Sequence, residues 1–257
     1  MLLPIAGKAL VLHAAERAKQ AVTVDEVIIA TDDERISEAA HAAGFRAVMT
    51  SAEHQSGSDR LAEVAAGLPE ASIIVNVQGD EPLISPETID RAVKAVMEGG
   101  AEIVTAWEPI RSKGELLNGN VVKVVFGDDD SALYFSRSPL PFPREAAQRH
   151  GGDPGRAIDA EPELLGIFRK HVGLYVYRRE YLLKFTKLPV SRLESIEMLE
   201  QLRALENGTK IRMVEAASES IGVDTPEDLE RVRNLIEGGI ESRPVSAASF
   251  TESISRQ

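Results

Sequence analysis

The chain of 257 residues carries 43% hydrophobic and 27% charged side chains, enough apolar material for one large α/β domain or two modest ones and too much for a mainly disordered polypeptide. Acidic residues outnumber basic ones by 41 to 29, and a formal charge of -12 argues against broad electrostatic binding to nucleic acid or to an anionic membrane. The absence of cysteine excludes disulfides, thiolate metal sites and a cysteine nucleophile; no apolar run approaches the roughly 18 residues of a membrane span, no signal-peptide pattern is present, and the expected address is the cytoplasm.

Met1 to Lys8 is short and broken by Pro4 and Gly7, and a helix is expected at once over Ala9 to Gln20. Further helices are expected over Asp33 to Ala43, Ser58 to Gly67 and Pro86 to Glu98. Between them, Val27 to Ala30, Ile73 to Val77 and Ile103 to Thr105 lack in/out alternation, which predicts strands covered on both faces. This βαβ alternation predicts a doubly wound, mostly parallel sheet. Such folds open with a strand and a phosphate-binding turn, so the sheet is expected to lack its first strand. The middle changes character: Val121 to Phe126 and Ala132 to Phe135 flank Gly127-Asp128-Asp129-Asp130 as an antiparallel hairpin. Pro139 to Gly155, rich in proline and glycine, is expected to be a loop. A strand at Val172 to Tyr177, a long helix over Arg192 to Glu206, a strand at Ile211 to Val214 and a helix starting at Pro226 complete the pattern. The expected division is a nucleotide-binding α/β core (1–120 and 208–238), an antiparallel insert with the long helix (121–207), and a disordered tail (239–257).

The segment with most chemical promise is Val75-Asn76-Val77-Gln78-Gly79-Asp80-Glu81-Pro82. A buried strand runs into Gly-Asp, which puts the Asp80 carboxylate at the carboxyl edge of the sheet, where open α/β folds bind ligands. One or two carboxylates there suit Mg²⁺, whose other positions are taken by water and phosphate oxygens. The plainer alternative is a turn in which Asp80 bonds its own backbone. A possible partner is Asp224, at the end of Ile221-Gly222-Val223, just before Thr225 caps a helix. Two carboxylates about 4 Å apart would repel by about 4 kcal/mol at an effective dielectric of 20, a penalty that a divalent cation removes.

His54-Gln55-Ser56-Gly57-Ser58-Asp59-Arg60 is either a loop with Ser58 as helix cap or a polar loop whose backbone and Arg60 meet a base or sugar. On the long helix, Leu193, Ile196, Leu199, Leu202 and Leu205 form an apolar arc with Glu200 inside it. A carboxylate there must be paired, with Arg203 for instance, or must open into a cavity beside Gln201. His171, Gly173 and Tyr175 share one strand face, where the glycine leaves room for a ligand or, as the commoner alternative, the His and Tyr are half-buried structural residues. Arg137, at the end of the hairpin, either solvates a strand end or faces a carboxylate. No Gly-x-Gly-x-x-Gly follows an expected strand, which disfavours a nicotinamide oxidoreductase.

Taken in order, Ile5 to Lys8 with His13 and Arg17, Ala30-Thr31-Asp32, His54 to Arg60, Val75 to Pro82, Val122 to Val125, Tyr134 to Arg137, Lys170 to Tyr177, Glu197 to Arg203 and Gly222 to Arg231 resemble the CMP-Kdo synthetase family, the 3-deoxy-manno-octulosonate cytidylyltransferases of lipopolysaccharide synthesis. The resemblance implies an α/β fold of the nucleotide-diphospho-sugar transferase type and a homodimer that uses the antiparallel insert. It implies CTP and Kdo as substrates and Mg²⁺ held by Asp80 and Asp224. Gln78, Arg137, His171, Tyr175, Glu200 and Gln201 match positions lining the Kdo site, and His54, Ser56, Gly57 and Arg60 lie in the loop near the cytidine. It further implies a preceding strand and a basic loop of the form Ala-Arg-x-x-Ser-x-Arg-Leu-x-x-Lys around the CTP phosphates. The expectation is therefore a shortened version of such an enzyme, with a homologue active on another acidic sugar and a catalytically silent homologue as alternatives.

Overall fold

Helix starts are set by short polar side chains: Asp33, Ser56, Ser85, Ser112, Asp153, Ser191 and Thr225 each accept a backbone N–H of the turn that follows. The computed structural model describes residues 1–223, 225–238 and 245. In chain order the elements are β1 (Pro4–Ile5), β2 (Lys8–Ala9), α1 (Leu10–Lys19), β3 (Ile28–Thr31), α2 (Glu34–Ala42), β4 (Arg46–Met49), α3 (Gly57–Ala66), β5 (Ile73–Val77), α4 (Pro86–Gly99), β6 (Ile103–Pro109) and α5 (Lys113–Leu117). There follow β7 (Lys123–Phe126), β8 (Ala132–Ser136), α6 (Arg144–Arg149), α7 (Pro154–Ala160), β9 (Arg169–Arg178), α8 (Arg179–Phe185), α9 (Arg192–Glu197), α10 (Gln201–Glu206), β10 (Ile211–Glu215) and α11 (Pro226–Glu237).

The six-stranded sheet runs β10-β6-β9-β7-β8, with β5 also paired to β9. β10 is parallel to β6, while β9 is antiparallel to β5, β6 and β7. Val176 of β9 stands between Val75 and Val104, so the strand expected in the insert runs through the centre of the sheet. β3 and β4 form a separate parallel pair, and among the described residues β5 has β9 as its one strand partner. The non-alternating strands are covered on both faces, as expected. Val104 and Val176 pack with Ile89, Val93 and Val96 of α4 on one side. Ile103 and Tyr177 pack with Leu182, Phe185 and Leu202 on the other.

Two expectations are corrected. Pro139 to Gly155 is not a bare loop, because α6 and the start of α7 fall in it; Asp153 caps α7 and Ala146, Ala147, Ala157 and Ile158 are buried. The long helix over Arg192 to Glu206 is two short helices, with Met198 between them at φ 54°. The cause is visible in a buried ion pair: Arg203 Nε and Nη2 donate to Glu194 at 2.9 and 2.6 Å. In a straight helix nine residues rise about 13.5 Å, which forbids that contact. The break exposes Ile196 and Met198 and buries Leu199 and Leu202. The expected tail, 239–257, lies outside the described residues apart from Val245, whose N–H donates to Ala217 O at 3.0 Å.

Candidate active site

β5 ends at Val77 and the chain turns twice, with Glu81 N–H donating to Gln78 O and Ile84 N–H to Glu81 O, both at 3.1 Å. Asp80 lies in this turn at the carboxyl end of the strand. Gly79 serves close packing rather than an unusual backbone angle: a Cβ there would stand 2.8 Å from Met1 Sδ and 3.3 Å from Val11 Cγ2. The Asp80 carbonyl accepts the Val223 N–H at 2.9 Å, so the segment Ile221 to Val223, which forms no strand, is laid against Asp80. Asp224 itself lies outside the described residues.

Beside Asp80 is a carboxylate that the motif reading passed over. Glu81 accepts a very short hydrogen bond from Ser220 Oγ, and Ser220 N–H donates to Glu108 Oε1 at 2.6 Å. Lys170 Nζ sits 3.3 Å from Glu108 and 2.7 Å from Glu115. Burial, with Asp80 and Glu108 adding like charge, pushes the Glu81 carboxyl up to about 7 despite the Ser220 bond. Asp80 and Glu108 therefore stand close enough to Glu81 to disfavour its charged form. Among the described residues no three His, Cys, Asp or Glu side chains converge as a metal cluster.

Across from this turn, Ser56 caps α3 and Ser58 lies inside the helix, which corrects the expected cap at Ser58. Ser56 Oγ, while accepting the Asp59 N–H, donates its proton to Glu200 Oε1 at 2.9 Å, and Ser58 Oγ donates to Glu200 Oε2 at 2.7 Å. Arg203 Nη2 is 3.8 Å from Glu200 and is committed to Glu194. Burial raises the Glu200 carboxyl, and the two serine bonds act against that rise. Gln201, next in the chain, is buried. Gly57 faces the Gln78 amide, and Gly173 of β9 faces both Gln78 Cγ and Glu81 Oε1; a Cβ at either glycine would meet these atoms at 3.6 to 3.8 Å. Tyr175 stacks on Tyr177, centroids 5.9 Å apart, and meets His171 in a tilted contact at 5.2 Å. Burial raises the pKa of the Tyr175 hydroxyl, with Tyr177 and then Glu200 adding to the rise.

The structure thus brings Ser56, Gly57, Gln78, Tyr175, His171 and Glu200 around one stretch of the sheet edge. His54 and Arg60 stand on the flank: His54 Nε2 contacts Glu63, and Arg60 reaches Thr50 and Asp32, the latter at 3.2 Å. Arg137 is held by three carbonyls, with Nε to Glu197 O at 2.8 Å, Nη1 to Gly119 O at 3.0 Å and Nη2 to Met198 O at 3.3 Å. Ser58, Thr105, Glu81 and Ser220 were not singled out by function in the sequence. For Ser58 and Glu81 the signal was their place inside the segments His54 to Arg60 and Val75 to Pro82, without a role of their own, and a buried threonine in a strand carries none.

The chain is similar to known cytidylyltransferases. A cytidylyltransferase family model matches residues 1–211. A 3-deoxy-manno-octulosonate cytidylyltransferase of Geobacter sulfurreducens is 53% identical over 233 residues, covering 89% of each chain. The protein of that name from Solibacter usitatus is 49% identical, covering 93% of this chain and 89% of its own. A solved structure of CMP:2-keto-3-deoxy-manno-octonic acid synthetase complexed with CTP superposes with a TM-score of 0.80 at 40% identity, covering 93% of this chain and 91% of that one. A 4-diphosphocytidyl-2C-methyl-D-erythritol synthase from Anaerococcus prevotii, 12% identical with a TM-score of 0.57, shares the fold, covering 91% of this chain and 88% of its own. The α/β fold is that of the nucleotide-diphospho-sugar transferases. By the family model and by identity over most of its length, the chain belongs to the cytidylyltransferase family, among the 3-deoxy-manno-octulosonate cytidylyltransferases.

Proposed function

We propose that this chain transfers a cytidylyl group from CTP to Kdo. The anomeric hydroxyl of Kdo loses its proton to water and its oxygen bonds to the α-phosphorus of CTP. The bond from that phosphorus to the β-bridging oxygen breaks, and CMP-Kdo and diphosphate leave, the former serving lipopolysaccharide synthesis. No covalent enzyme intermediate is needed, so catalysis is positioning plus electrostatic stabilisation. The observation that carries the reading is the junction of the α3 loop with Glu200 at the edge formed by β5 and β9. A nucleotide near the loop and an acidic sugar near His171, Tyr175 and Glu200 would meet beside Asp80.

In this reading Asp80 and Asp224 would hold Mg²⁺, which when bound neutralises the triphosphate and lowers the pKa of the attacking hydroxyl. The Val223–Asp80 backbone bond supports bringing the two segments together. Gln78 and Gln201 would orient the sugar, and the Ser56-Gly57 turn would meet the cytidine. Arg137 would act here by holding Gly119 and Met198 in place, given its three carbonyl acceptors. We place the enzyme in the cytoplasm with its CTP; among the described residues no helix is long and apolar enough to cross a membrane. We assign it a homodimer through the insert region, on the strength of the exposed Leu133, Phe142, Ile196 and Met198.

The test is coupled diphosphate release with CTP, Mg²⁺ and a panel of acidic sugars. Release with Kdo above all others is expected. Release with another acid and none with Kdo would move the assignment to that sugar, and none with any would favour a silent homologue.

A further inference from the structure

Thr105 of β6 is fully buried opposite Tyr175 of β9. The pairing then slips: Thr105 faces Tyr175 but Ala106 faces Val172, so two extra residues, Gly173 and Leu174, bulge from β9. An even insertion keeps His171, Gly173 and Tyr175 on one face, yet it takes carbonyls out of the β6–β9 ladder. Thr105 Oγ1 stands 2.7 Å from Leu174 O and 3.3 Å from Val172 O, filling the bulge. The same oxygen is 2.8 Å from His171 Nε2.

A hydroxyl has one proton. The Leu174 carbonyl can only accept, so Thr105 donates there and must accept from its other close neighbour. That neighbour, His171 Nε2, then carries the proton. A neutral imidazole protonated at Nε2 has an unprotonated Nδ1, able to accept a hydrogen bond and unable to donate one. The ring is kept neutral by its surroundings: Phe135 meets it edge-on at 5.3 Å and Tyr175 lies at 5.2 Å. Burial depresses its pKa to about 3, with no carboxylate acting to raise it. Among the described residues no protein hydrogen bond engages Nδ1, and the residue, though largely covered, keeps some exposed surface.

We infer that Thr105 is a positioning residue: it locks His171 in the Nε2–H tautomer, so that the ring meets the acidic sugar as an acceptor for a hydroxyl group and not as a donor or cation for the carboxylate. This rests on the proposed activity for its sugar-facing half; the tautomer is a property of the free protein. Thr105 selects for a hydroxylated acid through His171 without touching it.

Two measurements test it. A long-range proton–nitrogen correlation spectrum of the full chain, with the His171 signals identified by their loss in His171→Asn, should show the neutral Nε2–H form at neutral pH. The Nδ1–H form, or an imidazolium, would overturn the inference. In steady-state kinetics, Thr105→Val should raise the KM for Kdo about tenfold, the loss of about one buried hydrogen bond, with kcat and the KM for CTP nearly unchanged. Thr105→Ser should restore it. A folded Thr105→Val protein with wild-type KM for Kdo would refute the role, as would a folded Thr105→Ser protein that does not recover. If Thr105→Val does not fold, the wild-type spectrum and the serine variant decide. Wild-type protein that releases no diphosphate from CTP and Kdo removes the proposed activity and the sugar-facing half, while the tautomer still stands or falls by the spectrum.

Discussion

Ser58 and Glu200 lie 142 residues apart in the chain, yet the serine hydroxyl donates to the carboxylate at 2.7 Å. With the parallel bond from Ser56 at 2.9 Å, this joins the start of α3 to the start of α10. The two ends of the proposed ligand site are therefore one mechanical unit.

If that unit matters, Glu200→Ala should lower kcat/KM by about 100-fold, leaving two hydroxyls without their shared charged acceptor, and Ser58→Ala by less. The double variant should fall short of the product of the two effects. Coupling of about 1 kcal/mol or more is expected in the cycle, and strict additivity would show that the two residues act separately.

Asp80→Asn keeps the size and the backbone bond to Val223 and removes only the charge. Turnover should be abolished while the thermal unfolding profile and circular dichroism stay at wild type. Retained activity would remove Asp80 from the site.

The Glu194–Arg203 pair is buried, and Arg203 also lies over the Phe185 ring at 5.1 Å. Arg203→Met leaves Glu194 without its partner, and stability should fall by about 3–5 kcal/mol in urea titrations. Replacing both by apolar residues should recover much of that loss, since the pair itself is weak evidence for stability. A wild-type urea midpoint in the single variant would show that the break at Met198 does not need this pair.

His171 gives a pH signature with a definite sign. Burial holds its folded-state pKa near 3, below the ordinary 6.5, so the unfolded chain takes up a proton that the folded one refuses. The stabilisation is complete above 6.5 and lost as the pH falls toward 3. The stability difference between wild type and His171→Asn should shrink on going from about pH 7 to about pH 4.5, by at most about 1.4 kcal/mol per unit. A difference independent of pH would mean that the ring is not shielded as described.

Local order could be read directly. Capped helices such as α2, α4 and α11 and the strand Ile73–Val77 follow from short-range rules, because caps and apolar runs act over a few residues. Asp80 at a strand end, and the motifs around His54, His171 and Glu200, were legible for the same reason, since each is a strand or helix terminus rich in polar side chains. What lay beyond reach was long-range. Nothing in Arg169–Arg178 announces that it enters the sheet antiparallel between β5 and β6, because pairing partners are chosen by whole-sheet packing. The single helix expected over Arg192 to Glu206 failed because a buried ion pair between positions 194 and 203 overrode propensity. The proton on His171 is the furthest from sequence of all. It depends on a bulge, on a threonine 66 residues away and on one carbonyl, and only tertiary contact sets those three in order.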